Sequence, residues 1–292
     1  MKKLISVLPI ALVAILLVPS VVFAAKPTNP GGGNGGGKPT PTEPPTQIEY
    51  KGYDISYPQC GNRNLKKLPT DHYFGIVGVN GGTAASQNPC LAEQLAWANK
   101  AKTYANQPKA QLYVNTANPA DGVDGYTGYN WPTNGENDRY GACTGAYDLA
   151  CSWQYGWNRS AETASYFVSK AGNTGISTSV GDYTWWLDVE TMNSWQPSNL
   201  ALNTAALEGF AAYYQSQGAK VGLYSTSYQW GVITGSTVSS DSNLNNLSSW
   251  LAGAANLSSA ISKCNEAPLT AGGTVTLAQY VVKNLDNNHS CI

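Results

Sequence analysis

We predict that residues 47–292 form a single α/β domain, a TIM-type (β/α)8-like barrel. Short apolar segments rich in strand-forming residues alternate along this region with amphipathic helical stripes, which is typical of parallel α/β architecture. The length of the region is also close to the ~250 residues of one such barrel. The sequence shows neither an internal repeat nor a second domain, so one barrel accounts for the whole region.

The first 46 residues are predicted to lie outside this domain. Lys2 and Lys3 precede an apolar run and a small-residue cleavage site, so residues 1–25 read as a secretory signal peptide of bacterial type. Residues 26–46 are rich in Pro, Gly and Thr and are predicted to be a disordered linker. The apolar run is short for a membrane span. We therefore expect a secreted or cell-wall-associated protein that has no membrane contact after signal cleavage.

The elements of the barrel are predicted in chain order from their apolar periodicity. Strands are predicted at residues 52–56, 74–80, 111–115, 183–191, 221–224, 249–253 and 274–280. The first helix is predicted to begin at Asn88-Pro89, because proline is favoured at the first helical position. The apolar face of this helix comprises Leu91, Leu95, Ala98, Ala101 and Ala105. A second helix is predicted from the apolar face Ala161, Ala164, Val168 and Ala171. A third is predicted from Leu207, Phe210, Ala211 and Tyr214, and it ends near Gly218.

The segment from Ala120 to Trp157 is predicted to be a long irregular insert. Its aromatic residues are Tyr126, Tyr129, Trp131, Tyr140, Tyr147, Trp153, Tyr155 and Trp157. Long loops in compact domains tend to be functional, and this aromatic density argues against disorder. Two interpretations stay open: one wall of a binding groove, or a flap that packs on itself.

Charge and cysteine content exclude several classes of protein. With 17 basic and 18 acidic residues the net charge is −1, so we expect no nucleic-acid partner. The six cysteines of an exported chain predict disulfides, and pairing in sequence order is the simplest choice. The sequence has no Cys-x-x-Cys and only two histidines, His72 and His289, which argues against a metal site and a His-dependent triad. We expect a monomer without metal or cofactor.

Asp188 and Glu190 are the main candidates for catalytic groups. Side chains alternate along a strand, so these two carboxylates and Trp186 share one face. The structural alternative is that they only accept backbone N–H bonds at the strand end. Catalytic groups of parallel barrels lie at the carboxyl ends of the strands, where Asp54 is also predicted. Crowded carboxyl groups raise the pKa of one acid, as protonation of a glycosidic oxygen requires.

Four short motifs resemble those of the glycoside hydrolase family 25 lysozymes. They are Tyr53-Asp54-Ile55-Ser56, Leu187-Asp188-Val189-Glu190, Trp250-Leu251-Ala252-Gly253 and Leu277-Ala278-Gln279-Tyr280, in the order of the family. The family 18 chitinases would need acids at Tyr183 and Trp186, which this sequence lacks. The third strand departs from the lysozyme pattern, because it ends in Asn115-Thr116-Ala117-Asn118-Pro119 without an aromatic and His-containing segment.

The resemblance implies a barrel with a modified last third that hydrolyses the β-1,4 link of peptidoglycan or a related N-acetylated glycan. It implies Glu190 as general acid, Asp188 as the residue that orients the attacking substrate acetamide, and Asp54 as a residue that maintains the geometry and charge of the site. The candidate substrate-binding residues are Asn115, Trp186, Tyr224, Trp250, Gln279, Tyr280 and Asp286. The alternative function is a barrel that binds cell-wall glycan or another polysaccharide without cutting it.

Overall fold

The computed structural model describes residues 50–61, 67–104, 106–119 and 130–292. The predicted signal peptide (1–25) and linker (26–46) lie outside the described residues, as do Tyr126 and Tyr129 of the aromatic insert. Among the described residues, no helix is both long enough and apolar enough to cross a membrane.

Eight strands close into a barrel, and helices pack on its outer surface. The barrel strands are β1 (Lys51–Ile55), β2 (Phe74–Gly78), β3 (Ala110–Asn115), β6 (Thr184–Asp188), β7 (Lys220–Ser225), β8 (Ser248–Ala254), β9 (Thr274–Val282) and β10 (Leu285–Ser290). A separate antiparallel hairpin comprises β4 (Gly135–Asn137) and β5 (Gly141–Cys143). The α-helices are α1 (Leu91–Asn99), α2 (Leu149–Ala171), α3 (Leu200–Ser216), α4 (Ser227–Thr234) and α5 (Leu257–Lys263). This architecture confirms the predicted fold class.

The last third of the barrel departs from a regular (β/α)8 arrangement. The strand order is β1-β10-β9-β8-β7-β6-β3-β2, and β10 runs antiparallel to both β9 and β1. Lys283 and Asn284 connect β9 to β10 and both have positive φ angles, 51° and 63°. A two-residue hairpin turn needs this conformation, whereas another parallel strand would need a crossover. The modified last third that the family resemblance implies is therefore a closing hairpin.

The sequence analysis missed β10. Leu285–Ser290 reads Leu-Asp-Asn-Asn-His-Ser, with a single apolar residue and no β-branched one. Strand prediction depends on apolar alternation and strand-forming residues. This strand pairs over its full length with β9 and also with β1, so tertiary pairing overrides its weak propensity.

Several predicted helix features need correction. Helix α1 begins at Leu91, not at Pro89, and it ends at Asn99, before Ala101. Ala105 lies outside the described residues. Helix α2 begins at Leu149, so the final part of the predicted irregular insert is helical. Val168 is 40% exposed and does not share the buried face of α2.

Two apolar layers fill the fold, one inside the barrel and one between barrel and helices. The inner layer comprises Phe74, Ile76, Trp186, Trp250 and Leu277. The outer layer includes Leu112, Trp185, Leu187, Phe210 and Tyr214. Alternation along β6 explains the division, because Trp186 points inward while its neighbours point outward.

Helices α2 and α3 cross closely because each has a glycine at the contact. A Cβ atom on Gly156 would lie 2.0 Å from the carbonyl oxygen of Ala206. A Cβ atom on Gly209 would lie 1.9 Å from the carbonyl oxygen of Trp153. Only glycine permits such an approach of two backbones. The relative position of these helices is therefore closely defined.

The predicted pairing of the cysteines in sequence order is confirmed. The disulfides are Cys60–Cys90, Cys143–Cys151 and Cys264–Cys291. The third ties the residue after β10 to the end of α5.

Removing the Cys264–Cys291 bridge by serine substitution of both residues is expected to cost about 3–4 kcal/mol of unfolding free energy. The bridge closes a loop with a sequence separation of 27, so it restricts the unfolded chain strongly. Removal of Cys143–Cys151, with a separation of 8, is the matched control and is expected to cost about 2–3 kcal/mol. Urea denaturation measures both, and the reverse order of losses would contradict the prediction.

Candidate active site

A cavity of about 170 Å³ lies at the carboxyl ends of the parallel strands. It is lined by Asp54, Tyr113, Asp188, Glu190, Tyr224, Trp250, Gln279 and Asp286. The structure thus brings the three predicted catalytic carboxylates into one cavity. Four of the seven predicted substrate-binding residues also line it: Tyr224, Trp250, Gln279 and Asp286. Catalytic groups of parallel barrels occupy this end of the fold.

Asp188 is the last residue of β6 and lies almost completely buried, with 5% of its surface exposed. Its carbonyl oxygen accepts hydrogen bonds from the Thr116 hydroxyl (2.6 Å) and the Thr116 N–H (3.2 Å), which fix the strand end. Its side-chain Oδ1 is buried and has no hydrogen-bond partner among the described residues. The structural alternative of a strand cap therefore does not account for this oxygen.

Glu190 lies two residues after the end of β6, and residues of the following loop hydrogen-bond to its backbone. The Trp195 indole N–H donates to the Glu190 carbonyl oxygen (2.8 Å), and the Asn193 N–H also donates to it (3.1 Å). One residue earlier, the Val189 N–H donates to the carbonyl of Tyr224 (2.9 Å), so the extended path continues beyond the strand. Glu190 therefore stays on the face predicted from alternation with Asp188.

Asp54, on β1, is the centre of a hydrogen-bond network. The Asn288 Nδ2 group donates to Asp54 Oδ2 (2.7 Å), and the Gln279 Nε2 group donates to both carboxylate oxygens (3.2 and 3.1 Å). The Tyr224 hydroxyl donates to Gln279 Oε1 (2.8 Å), and the Trp250 indole N–H donates to Asn288 Oδ1 (2.8 Å). These outer donors fix the orientation of both amides, so their N–H groups point at Asp54.

Burial raises the pKa of every carboxyl group in the cavity. Burial, and then the negative charge of Asp286, raises the pKa of Asp54 to about 7 against the opposing bonds from Asn288 and Gln279. Burial, Glu190 and Asp54 raise the pKa of Asp188 well above its usual value. Burial also raises the pKa of Glu190 and of Asp286. The described residues that line the cavity include no basic side chain, so no neighbouring cation offsets these upward pKa shifts.

Three predicted binding residues do not line the cavity. Trp186 is 2% exposed, lies in the inner barrel layer and donates from its indole N–H to Gln111 (2.8 Å). Tyr280 packs outside the barrel with Ala254 and Ala260, because it follows the inward-facing Gln279 and must face the other way. Asn115 is buried at the end of β3, where its N–H donates to Asn80 Oδ1 (2.8 Å). These three side chains therefore lie outside the lining of the cavity, and their contact with substrate stays a prediction.

The sequence analysis missed two residues of the site, Tyr113 and Asn288. Tyr113 shares a face of β3 with Asn115, and Gly78 makes room for its ring, because a Cβ there would lie 2.6 Å from Tyr113 Cζ. Burial and the charge of Asp54 raise the pKa of Tyr113 well above its usual value. The glycine opposite an aromatic residue was a signal available in the sequence. The sequence carried no comparable signal for Asn288, because the strand that bears it, β10, was not predicted.

None of the described aromatic residues of the insert lines this cavity. Trp131 stacks on Tyr147 (ring centroids 4.9 Å apart) and on Tyr155 (5.6 Å), beside the Cys143–Cys151 bridge. This part of the insert therefore packs on itself, as the second interpretation predicted, and does not form a wall of the carboxylate cavity.

No group of three or more His, Cys, Asp or Glu side chains in the described part of the chain has an arrangement that could hold a metal ion.

Comparison with known proteins gives one family match. Residues 154–256 match the family model of Lysozyme-like protein 1. The matched region runs from α2 to just beyond β8 and includes Asp188 and Glu190, whereas Asp54, Gln279 and Asp286 lie outside it. No curated protein matches the sequence.

Three solved structures illustrate the similarity of the fold. The muramidase from Trichobolus zukalii is 17% identical, with a TM-score of 0.47, and the alignment covers 82% of this chain and 92% of that one. The bacterial lysozyme from Streptomyces coelicolor is 18% identical, with a TM-score of 0.46 and coverages of 83% and 92%. A family 25 glycosyl hydrolase from Bacillus anthracis is 14% identical, with a TM-score of 0.45 and coverages of 87% and 94%. Such distant likenesses identify no catalytic residue in this chain.

The family match supports the class that the sequence motifs predict. The matched region includes Asp188 and Glu190, two of the four acids in the cavity. Residues 154–256 are therefore similar to Lysozyme-like protein 1, and this similarity agrees with the resemblance to the glycoside hydrolase family 25 lysozymes that the motifs predict.

Proposed function

We propose that the protein is an exported glycosidase that cleaves β-1,4 links in N-acetylated glycan, with peptidoglycan as its substrate. The proposal is carried by the buried Oδ1 of Asp188, which has no hydrogen-bond partner among the described residues and lies in a cavity that also holds Glu190. A buried acceptor without a donor is costly unless a ligand supplies one. The N–H of a substrate acetamide group is such a donor.

The side chains around this oxygen suit a sugar substrate. Trp250, Tyr224 and Tyr113 provide aromatic surface with polar edges, and Gln279 adds an amide. Rings of this kind contact apolar faces while their polar atoms keep hydrogen bonds. The absence of lysine and arginine from the lining also disfavours a site built around a phosphate or another anion.

Glu190 is the proposed proton donor. Burial raises its pKa, and the charge of Asp286 raises it further against a hydrogen bond from Gln229. A glutamic acid that keeps its proton near neutral pH can transfer it to the glycosidic oxygen as the bond to the anomeric carbon breaks. The leaving sugar then departs with a new hydroxyl group.

The substrate's own acetamide is the proposed nucleophile. Asp188 accepts the acetamide N–H, which aligns the carbonyl oxygen with the anomeric carbon and stabilises the positive charge of the cyclic intermediate. Water then attacks the anomeric carbon, the bond to the acetamide oxygen breaks, and Glu190 recovers a proton from the water. Such substrate assistance is a known exception to the scheme with two enzyme carboxylates. Asp54, held by Asn288 and Gln279, maintains the charge and geometry of the cavity.

Export is proposed on the basis of the signal-like first 25 residues and the three disulfides. Disulfides persist in oxidising compartments outside the cytosol. The described cysteines are all paired, so the folded domain suits that environment.

Incubation of the full chain with purified cell walls tests the proposal. New reducing ends are expected, and mass spectrometry of the soluble products is expected to show disaccharide-peptide units cut between the two amino sugars. Retention on the walls without any soluble product would instead support the alternative, a barrel that binds glycan without cutting it.

A further inference from the structure

A second and larger cavity lies on the outside of the barrel. Its volume is about 610 Å³, and it shares no lining residue with the carboxylate cavity. It lies among helices α2 and α3, the β4–β5 hairpin and the loop before β8. Its size falls within the roughly 300–1,000 Å³ of small-molecule sites, although it is remote from the groups proposed for catalysis.

Two half-buried tryptophans form the apolar part of this outer cavity. Trp153 and Trp157 are one helical turn apart on α2, so they lie on the same face. Their rings are stacked, with centroids 5.2 Å apart and planes 18° apart, and the edge of Tyr213 supports Trp157 at 5.3 Å. Both tryptophans line the cavity, so part of their aromatic surface faces it, and a flat ring with an apolar face can contact that surface.

The walls around this surface are firmly held. The Arg139 guanidinium pairs with the buried Glu208 (Nε to Oε2, 2.8 Å) and with Asp241 (Nη2 to Oδ1, 3.0 Å). These contacts fasten the hairpin side of the cavity to α3 and to the loop opposite. The glycine contacts between α2 and α3 fix the floor. A ligand would therefore bind without ordering the site first, which reduces the entropic cost of binding.

The polar lining selects against anionic ligands. Glu136, Asp138 and Asp241 contribute three carboxylates, against the single guanidinium of Arg139, which is already paired. Negative potential repels phosphate and carboxylate groups. Asn243, also in the wall, leaves its Oδ1 without a donor among the described residues, although its Nδ2 group donates to the Glu208 carbonyl (3.0 Å). A ligand that brings hydroxyl or amide donors would satisfy this acceptor.

We propose that the outer cavity is a non-catalytic binding site for neutral pyranose units of a polysaccharide, which stack on Trp153 and Trp157. Its free acids, Glu136 and Asp138, are exposed and lack the burial that characterises the carboxylate cavity. The site holds the chain to an insoluble polymer while the other cavity engages a different stretch of it. Two sites on one polymer raise the effective concentration of each. The proposal does not depend on cleavage in the carboxylate cavity.

Two variants test the site in opposite ways, both in a Glu190→Gln background so that the polymer is not consumed. Trp153→Ala removes part of the aromatic surface, and Ala212→Trp fills the cavity without removing a contact. Val168→Trp adds the same ring at an exposed position of α2 and is the matched control. Depletion by insoluble chitin, a neutral N-acetylglucosamine polymer, measures retention, and urea denaturation checks that each variant is folded.

Both test variants are expected to bind chitin about ten-fold more weakly than the control, as removal of a well-packed tryptophan contact typically costs. In a parallel NMR titration with soluble N-acetylglucosamine hexamer, the Trp157 indole N–H signal is expected to shift in the control and not in the Ala212→Trp variant. Equal retention of all three proteins would overturn the proposal. Stronger retention on a phosphate-bearing polymer than on chitin would also overturn it.

Discussion

Replacing Glu190 with glutamine is expected to slow the cleavage of cell-wall glycan by about 10²- to 10⁴-fold, the usual contribution of a general acid. Glutamine preserves the shape of the side chain and has no proton to transfer to the leaving oxygen. The release of reducing ends from purified walls, at equal protein concentration, measures the loss. Since only the chemical step is affected, binding of the walls is expected to stay close to that of the unaltered protein.

Glu93→Gln is the matched control, because Glu93 is an exposed glutamate on α1. This variant is expected to cleave walls at the unaltered rate. Equal rates for the Glu190→Gln and Glu93→Gln variants would remove Glu190 from the catalytic role.

Replacing Asp188 with asparagine is expected to reduce cleavage by about 10²- to 10³-fold and, at the same time, to stabilise the fold at neutral and alkaline pH. The loss of activity is of the size seen when one group that stabilises developing charge is removed. The gain in stability has a separate cause: a buried carboxylate that has no hydrogen-bond partner at Oδ1 is replaced by a neutral amide.

The pH dependence of this stabilisation follows from the raised pKa of Asp188. A carboxyl group with a higher pKa in the folded state binds its proton more tightly there. The contribution of this proton to the free energy of unfolding is complete below the pKa of the group in the unfolded state, about 4. It is lost as the pH rises through the pKa of the group in the folded state. Because the asparagine does not titrate, the difference in unfolding free energy between variant and parent is expected to grow from pH 4 to pH 8.

Urea denaturation at several pH values measures this difference. Asp182→Asn makes the same change at an exposed position before β6 and is the matched control. A variant of Asp188 that is less stable than its parent at pH 8 would contradict the account of an unpartnered buried charge.

The parallel part of the fold could be predicted from sequence because its strands are buried on both sides. Segments such as Phe74–Gly78 and Thr184–Asp188 are short, apolar and bounded by polar residues, so their pattern alone indicates strands. The strand β10 could not be predicted, because Asp286, Asn287 and Asn288 carry site and turn chemistry in place of apolar residues. A strand whose inward face serves the active site loses the pattern by which strands are recognised.

Alternation along strands also explains which of the predicted site residues lie together in the cavity. It placed Asp188 and Glu190 together, as the structure shows. Alternation also places Gln279 and Tyr280 on opposite faces of β9, whereas the family motif names both as binding residues. In the structure Tyr280 packs against α5. Alternation does not indicate how far along the barrel axis an inward-facing side chain lies. Trp186 therefore faces the right way but lies beneath the cavity.

Because the β9–β10 hairpin closes the barrel, the carboxylate cavity can form only after the last strand of the chain has been synthesised. Strand β1 emerges first in synthesis, and β10 must be present before β1 and β9 lose their open edges. Until then Asp54 has neither Asn288 as its donor nor Asp286 as its charged neighbour. A chain interrupted before residue 285 thus lacks Asp286 and Asn288, so its carboxylate cavity is incomplete as well as its barrel.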